Sequence, residues 1–147
     1  MNYLEEFDKL KTKVLKYIMF KKRTEQEIRQ KFREDSGDLL HDVIEELKEI
    51  GYINDKNYIE RAINEFKNLK NMSIREIEYK LVAKGLKKDL ISDYLYENRE
   101  ELIKYELNSA KNIILKKQNI LKKEDIIIYL NKKGYLEDTI KMAMEEI

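Results

Sequence analysis

Residues 73–91, SIREIEYKLVAKGLKKDLI, return 49 residues later as residues 122–140, KKEDIIIYLNKKGYLEDTI, without a gap. An earlier copy keeps the same offset through Ile28 and Phe32 and then drifts by two residues. A fixed period of this length is typical of stacked structural repeats, which usually present a long surface to a partner. The matched positions of the two later copies are Ile77 and Ile126, Leu81 and Leu130, Lys84-Gly85 and Lys133-Gly134, Asp89 and Asp138, and Ile91 and Ile140.

The composition favours an all-helical protein. Its 147 residues include no Pro, and the four Gly lie singly near the ends of predicted helices. The absence of Cys excludes disulfides, thiolate metal sites and thiol nucleophiles. No apolar run approaches the roughly 20 residues of a membrane span, and no amino-terminal stretch resembles a signal peptide. We therefore expect a cytoplasmic protein.

Apolar spacing and helix caps divide the chain into nine predicted helices, grouped as three tandem three-helix units at 1–53, 54–98 and 99–147. In the first helix, an apolar stripe that starts at Leu4 is expected to be buried. Thr24 to Glu27 and Ser73 to Glu76 read as two capping boxes, 49 residues apart, whereas Lys122 replaces the hydroxyl in the third copy. The units are predicted to stack on one another rather than to form one irregular globule.

Charge alternates along the chain in phase with the repeat, although the net charge is only +1. Randomly placed surface charges would not follow the unit boundaries, so the alternation indicates charged binding faces. The successive segments are 9–33 (+8), 34–60 (−7), 67–88 (+5), 89–106 (−4), 107–134 (+5) and 135–147 (−3).

The sequence shows no combination of residues that is typical of an enzyme active site. His41 is the only histidine, and no glycine-rich phosphate loop is present. The Asp and Glu residues are better explained as solvated helix faces than as metal ligands. Most of the ten Tyr, including Tyr17, Tyr58, Tyr79 and Tyr94, are expected to pack between helices rather than to stack on bases. We expect no catalysis, cofactor or metal.

Residues 24–53 are also compatible with the helical part of a winged-helix DNA-binding domain. A wing should follow as a hairpin with alternating apolar residues, but the stretch from Asn54 is predicted to begin a helix. The candidate recognition helix, residues 38–50, is strongly acidic and would be repelled by phosphates. A winged-helix regulator therefore remains the second interpretation, and a plain helical scaffold for another protein remains a third.

The chain resembles the RecX family of recombination regulators over roughly residues 10–147. The most telling piece is Gly51-Tyr52-Ile53-Asn54-Asp55, followed by the aromatic Tyr58. The other matching pieces are Glu27-Ile28 with Phe32, Val43-Ile44-Glu45-Glu46-Leu47, and Ile74, Ile77 and Leu81 with Lys84-Gly85. The resemblance implies tandem three-helix units that form an elongated, curved protein without catalytic activity. Such a regulator would lodge in the groove of a RecA filament and restrain its ATPase, strand exchange and co-protease role.

The basic segments supply the candidate binding residues for such a filament. Single- or double-stranded DNA stays open as a further partner, no membrane partner is expected, and the protein is expected to be a monomer. The candidates are Lys21, Lys22, Arg23, Arg29 and Arg33 in the first unit, Arg75, Lys84, Lys87 and Lys88 in the second, and Lys132 and Lys133 in the third.

Overall fold

The computed structural model describes residues 2–35 and 37–146, and within these ranges the chain forms nine helices and no strand. The all-helical prediction is confirmed. The helix that begins at Asp55 stands where a winged-helix domain would place its hairpin, so the described residues contain no wing. The helices are α1 Tyr3–Phe20, α2 Glu25–Lys31, α3 Gly37–Ile50, α4 Asp55–Leu69, α5 Ile74–Ala83, α6 Lys88–Glu97, α7 Arg99–Lys117, α8 Lys123–Lys133 and α9 Glu137–Met144.

The chain separates into two compact units. Unit 1 comprises residues up to Tyr58 together with Lys84–Lys87, the turn between α5 and α6. Unit 2 comprises Ile59–Ala83 and the residues from Lys88 onward. The division into three repeats at 1–53, 54–98 and 99–147 stays a prediction from the sequence period.

Unit 1 has a core built from one face of each of its helices. Leu4 is 70% exposed, so the expectation that the buried stripe of α1 begins there is wrong. It lies in the first turn of α1, ahead of the part of the helix that packs on this core. The buried residues are Leu10, Val14 and Ile18 of α1, Ile28 of α2, Leu40, Val43, Ile44 and Leu47 of α3, and Ile53.

The core of unit 2 includes a cluster in which α7, α8 and α9 pack together. Burial of each large aliphatic side chain of this kind contributes about 1.5–3 kcal/mol to folding. The cluster consists of Ala110, Ile113 and Ile114 of α7, Ile126 and Leu130 of α8, Tyr135, and Ile140 and Ala143 of α9.

Both predicted capping boxes are present. The Thr24 hydroxyl accepts from the Glu27 amide at 3.1 Å, and the Glu27 carboxylate accepts from the Thr24 amide at 3.0 Å. Ser73 and Glu76 repeat the arrangement at 3.1 and 2.9 Å. Lys122, as expected, makes no side-chain cap for α8. Each box satisfies amide groups that a helix start otherwise leaves without partners.

The capping hydroxyls also make long-range contacts. Thr24 Oγ1 donates to the backbone carbonyl of Lys84 at 2.9 Å in unit 1. Ser73 Oγ donates to the carbonyl of Lys133 at 2.6 Å in unit 2. In both cases the acceptor lies 60 residues downstream and directly precedes a glycine of positive φ, Gly85 or Gly134. Each Lys-Gly turn is thereby held against the start of the helix that the hydroxyl caps.

Candidate interaction surfaces

A cleft of about 350 Å³ lies in unit 2 between α5 and the end of α8. The hydrogen bond from Ser73 to the Lys133 carbonyl holds these two segments together. The cleft brings together three of the predicted binding residues, Arg75, Lys132 and Lys133. Its lining is completed by Glu76, Tyr79, Lys80, Asn131 and Gly134.

The cleft is cationic and has an exposed aromatic ring. Lys133 pairs with Glu76 at 3.2 Å, whereas Arg75 and Lys132 have no ion-pair partner among the described residues. Tyr79 is 76% exposed, so the expectation that it packs between helices is wrong. It lies away from Ile77, which belongs to the buried face of α5. An anionic group on a partner could therefore reach free cations here.

The equivalent turn of unit 1 repeats the ion pair of the cleft. Lys84 Nζ lies 3.7 Å from Glu27 Oε2, which matches the Lys133–Glu76 pair one repeat later. These two lysines are thus partly neutralised by the carboxylates of the capping boxes. Lys87 of unit 1 and Lys88, the first residue of α6 in unit 2, are exposed and have no ion-pair partner among the described residues.

Two further candidate cations of unit 1, Arg29 and Arg23, have partners within the unit. The Arg29 side chain donates to Glu25 at 3.0 Å and contacts His41 Nδ1 at 3.2 Å. The guanidinium of Arg23 stacks over the ring of Tyr17, 4.2 Å from its centroid. The remaining candidates are Arg33, which pairs weakly with Glu34 at 3.7 Å, and Lys21 and Lys22, which are exposed.

The ranges 2–35 and 37–146 contain no candidate metal-binding cluster. Within them, no three His, Asp or Glu side chains are grouped closely enough to hold a metal ion. His41 is exposed on α3, and the hydrogen-bond contact of its Nδ1 is with Arg29. Among the same residues, none of the helices combines the length and apolar character required to cross a bilayer.

The sequence did not reveal two carboxylates, one half-buried and one fully buried, that accept hydrogen bonds from backbone amides at the starts of helices. Asp55 Oδ1 accepts from the Glu25 amide at 3.0 Å, whereas α4 is capped by Asn54, whose Oδ1 accepts from the Asn57 amide at 3.0 Å. Burial raises the pKa of the Asp55 carboxyl, and the hydrogen bond from the Glu25 amide opposes that rise. In unit 2, the fully buried Glu106 accepts from the Ile74 amide at 3.1 Å. No local pattern marks these residues, since their partners lie 30 and 32 positions away.

The ion pairs of Glu25 should make the free energy of unfolding depend measurably on pH. Burial alone would raise the pKa of Glu25, but Lys48 and Arg29, each at 3.0 Å, together hold it below its ordinary value. The ion pairs therefore stabilise the fold above the unfolded-state pKa and are lost as pH falls through the folded-state pKa. Glu25→Gln should cost about 1 kcal/mol at pH 7.

Urea denaturation at a series of pH values measures this dependence. The difference in unfolding free energy between wild type and Glu25→Gln should shrink as the pH is lowered below the ordinary pKa of a glutamate and through the lower folded-state pKa. Glu49→Gln is the matched control, because Glu49 is exposed on α3, and it should change little at any pH. If the loss of unfolding free energy in Glu25→Gln stayed constant down to acid pH, the stabilisation would not come from the ionised Glu25 carboxylate.

These features define a class: an all-helical repeat protein whose free charges lie on open surfaces. No protein-family model matches the chain. Regulatory protein RecX of Finegoldia magna is 36% identical over 139 residues, which cover 86% of this chain and 66% of the relative. Regulatory protein RecX of Clostridium perfringens is 32% identical over 145 residues, with 91% and 66% covered. The chain thus spans about two thirds of the length of these relatives.

Solved structures share the fold. The crystal structure of RecX from Lactobacillus salivarius matches with a TM-score of 0.81 at 22% identity, covering 97% of both chains. A second crystal structure of regulatory protein RecX matches with a TM-score of 0.78 at 19% identity, covering 95% of this chain and 73% of the other. The sequence relatives, together with this fold, establish that the chain belongs to the RecX family.

Proposed function

We propose that this protein binds the filament of the RecA recombinase and restrains its ATPase, strand-exchange and co-protease activities. The observation that carries the proposal is the 36% identity to a regulatory protein RecX over most of the chain. The protein acts by binding and not by catalysis, as a monomer in the cytoplasm where recombinase filaments assemble on DNA.

The free cations carry the interaction in this proposal. Lys21, Lys22 and Lys87 of unit 1 are exposed, and Arg75 and Lys132 line the cleft of unit 2. Arg29, Lys84 and Lys133 already have carboxylate partners and contribute less. Each contact with an acidic group of the filament is weak, but several contacts made by one chain add up through effective concentration.

Two double charge reversals test the proposal. Lys87→Glu with Lys88→Glu, and Arg75→Glu with Lys132→Glu, should each raise the concentration needed to half-inhibit recombinase ATPase by about two- to fivefold. Lys84 is left unchanged, because a carboxylate there would face Glu27 of the capping box. The readout is ATP hydrolysis by RecA on single-stranded DNA, with circular dichroism to confirm folding.

The control is Lys56→Glu with Lys104→Glu, which changes the net charge equally at exposed positions outside the proposed set. Inhibition that is unchanged in both test variants would remove these residues from the interface. Failure of the wild-type chain to co-sediment with nucleotide-bound RecA filaments would overturn the proposed function itself. Tight capture of duplex DNA without recombinase would instead favour a DNA-binding regulator.

A further inference from the structure

The outer face of α1 carries an unbroken basic stripe. Lys9, Lys13, Lys16 and Phe20 follow one another at intervals of four, three and four residues, which places them on one face of the helix. The opposite face is the buried one, with Ile18 among its residues. All four members of the stripe are exposed, and they extend over roughly 16 Å of helix.

The stripe differs from the other charged faces of this chain because it lacks carboxylates. Residues 9–23 contain seven Lys or Arg and no Asp or Glu. Lys11, on the flank of the stripe, pairs with Glu46 at 3.0 Å, whereas the three stripe lysines have no ion-pair partner among the described residues. Like charges three and four residues apart repel one another on a helix, so Lys13 repels both Lys9 and Lys16, and only Lys9 has a carboxylate, Glu5 or Glu6, at such a distance.

An exposed aromatic ring ends the stripe. Phe20 is 86% exposed, and Met19 beside it is 78% exposed. Lys21 and Lys22 follow at once and extend the positive charge past the end of the helix. Cations that track a phosphate backbone, combined with an aromatic face on which a base can stack, are the usual elements of a single-strand binding surface.

We infer that the outer face of α1 binds a single-stranded polynucleotide, with Lys9, Lys13 and Lys16 on successive phosphates and Phe20 stacked on an unpaired base. The bases of a duplex are already stacked on one another and cannot stack on the ring of Phe20. The single strand therefore binds more tightly. None of these four residues belongs to the set assigned to the recombinase filament, and the inference stands apart from that function.

Fluorescence anisotropy with a labelled oligothymidylate of about 20 nucleotides tests this site. Lys9→Ala/Lys13→Ala/Lys16→Ala should weaken binding roughly 100-fold at about 0.1 M salt. The slope of log K against the logarithm of the salt concentration should also become shallower by about two. Phe20→Ala, which leaves the charge unchanged, should weaken binding about tenfold. Alanine suits exposed helix positions, so all variants should fold.

The matched control is Lys104→Ala/Lys116→Ala/Lys123→Ala, which removes the same charge from exposed lysines elsewhere and should change binding less than threefold, roughly. If the control lost as much affinity as the stripe variant, the loss would reflect net charge alone and the inference would be overturned. Unchanged binding by Phe20→Ala, tighter binding of a duplex, or no binding by the wild-type chain at about 0.05 M salt would also overturn it. Stripe variants that keep oligonucleotide binding but lose filament capture would assign the stripe to an acidic protein surface instead.

Discussion

Glu106→Leu should lower the free energy of unfolding by about 3 kcal/mol, although the substitution makes the core of unit 2 more apolar. Glu106 Oε1 accepts from the Ile74 amide at 3.1 Å, in the first turn of α5. Its Oε2 accepts from the Thr139 hydroxyl at 2.8 Å and from the Leu136 amide at 3.5 Å, at the start of α9. One fully buried carboxylate therefore serves the starts of two helices.

The size of this loss follows from the groups left behind. A buried amide without an acceptor costs about 1–3 kcal/mol, and hydrogen bonds to a charged acceptor are stronger than neutral ones. The partial positive charges at both helix starts also favour an anion at this position. Removing the buried charge returns part of this energy, because the carboxylate no longer needs to be desolvated.

Two further variants separate these contributions in urea denaturation followed by circular dichroism. Glu106→Gln keeps an acceptor for the Ile74 amide and should lose only about 1 kcal/mol. Glu100→Leu is the matched control, since Glu100 is exposed on the same helix, and it should change stability by less than about 0.5 kcal/mol. A loss for Glu106→Leu no larger than that of the control would show that the carboxylate does not anchor α5 and α9.

Gly85→Ala should destabilise unit 1 by about 3 kcal/mol, more than the same substitution at Gly51. Both glycines have positive φ, +83° at Gly85 and +96° at Gly51, so both substitutions carry a similar backbone strain of about 1–2 kcal/mol. A Cβ at Gly51 would meet no atom within 4 Å, whereas a Cβ at Gly85 would lie 2.5 Å from Gln26 Cβ. That carbon is fixed to the backbone of α2, so the turn itself must move.

The difference between the two glycine variants isolates the close approach of the Lys-Gly turn to α2. Gly51→Ala should lose about 1–2 kcal/mol, and the excess at Gly85 should be about 1–2 kcal/mol. Gly134→Ala should fall between them, because its Cβ would lie 3.0 Å from Cδ and 3.1 Å from Cβ of Arg75. Chemical denaturation measures all three, and equal losses at Gly51 and Gly85 would show that the turn can move away at no cost.

The binding surfaces were only partly predictable from the sequence. Charge segregation pointed to Arg75, Lys132 and Lys133, which the structure brings to one cleft. The same pattern could not separate cations that are free from cations that already have partners. Lys84 carries the same charge as Lys87, yet only the fold sets a carboxylate, Glu27, beside Lys84. Tyr79 was expected to be packed but is exposed, because its helix buries only a narrow face.

The sequence alone determined the helices, the repeat period, both capping boxes and the family resemblance, because these depend on interactions within about four positions or on a pattern repeated along the chain. Only the tertiary structure decided that Glu106 is buried, that Thr24 and Ser73 hold a carbonyl 60 residues away, and that Gly85 lies against Gln26. Such contacts join residues far apart in the chain. Their partners are chosen by the packing of whole helices, and no local pattern records that choice.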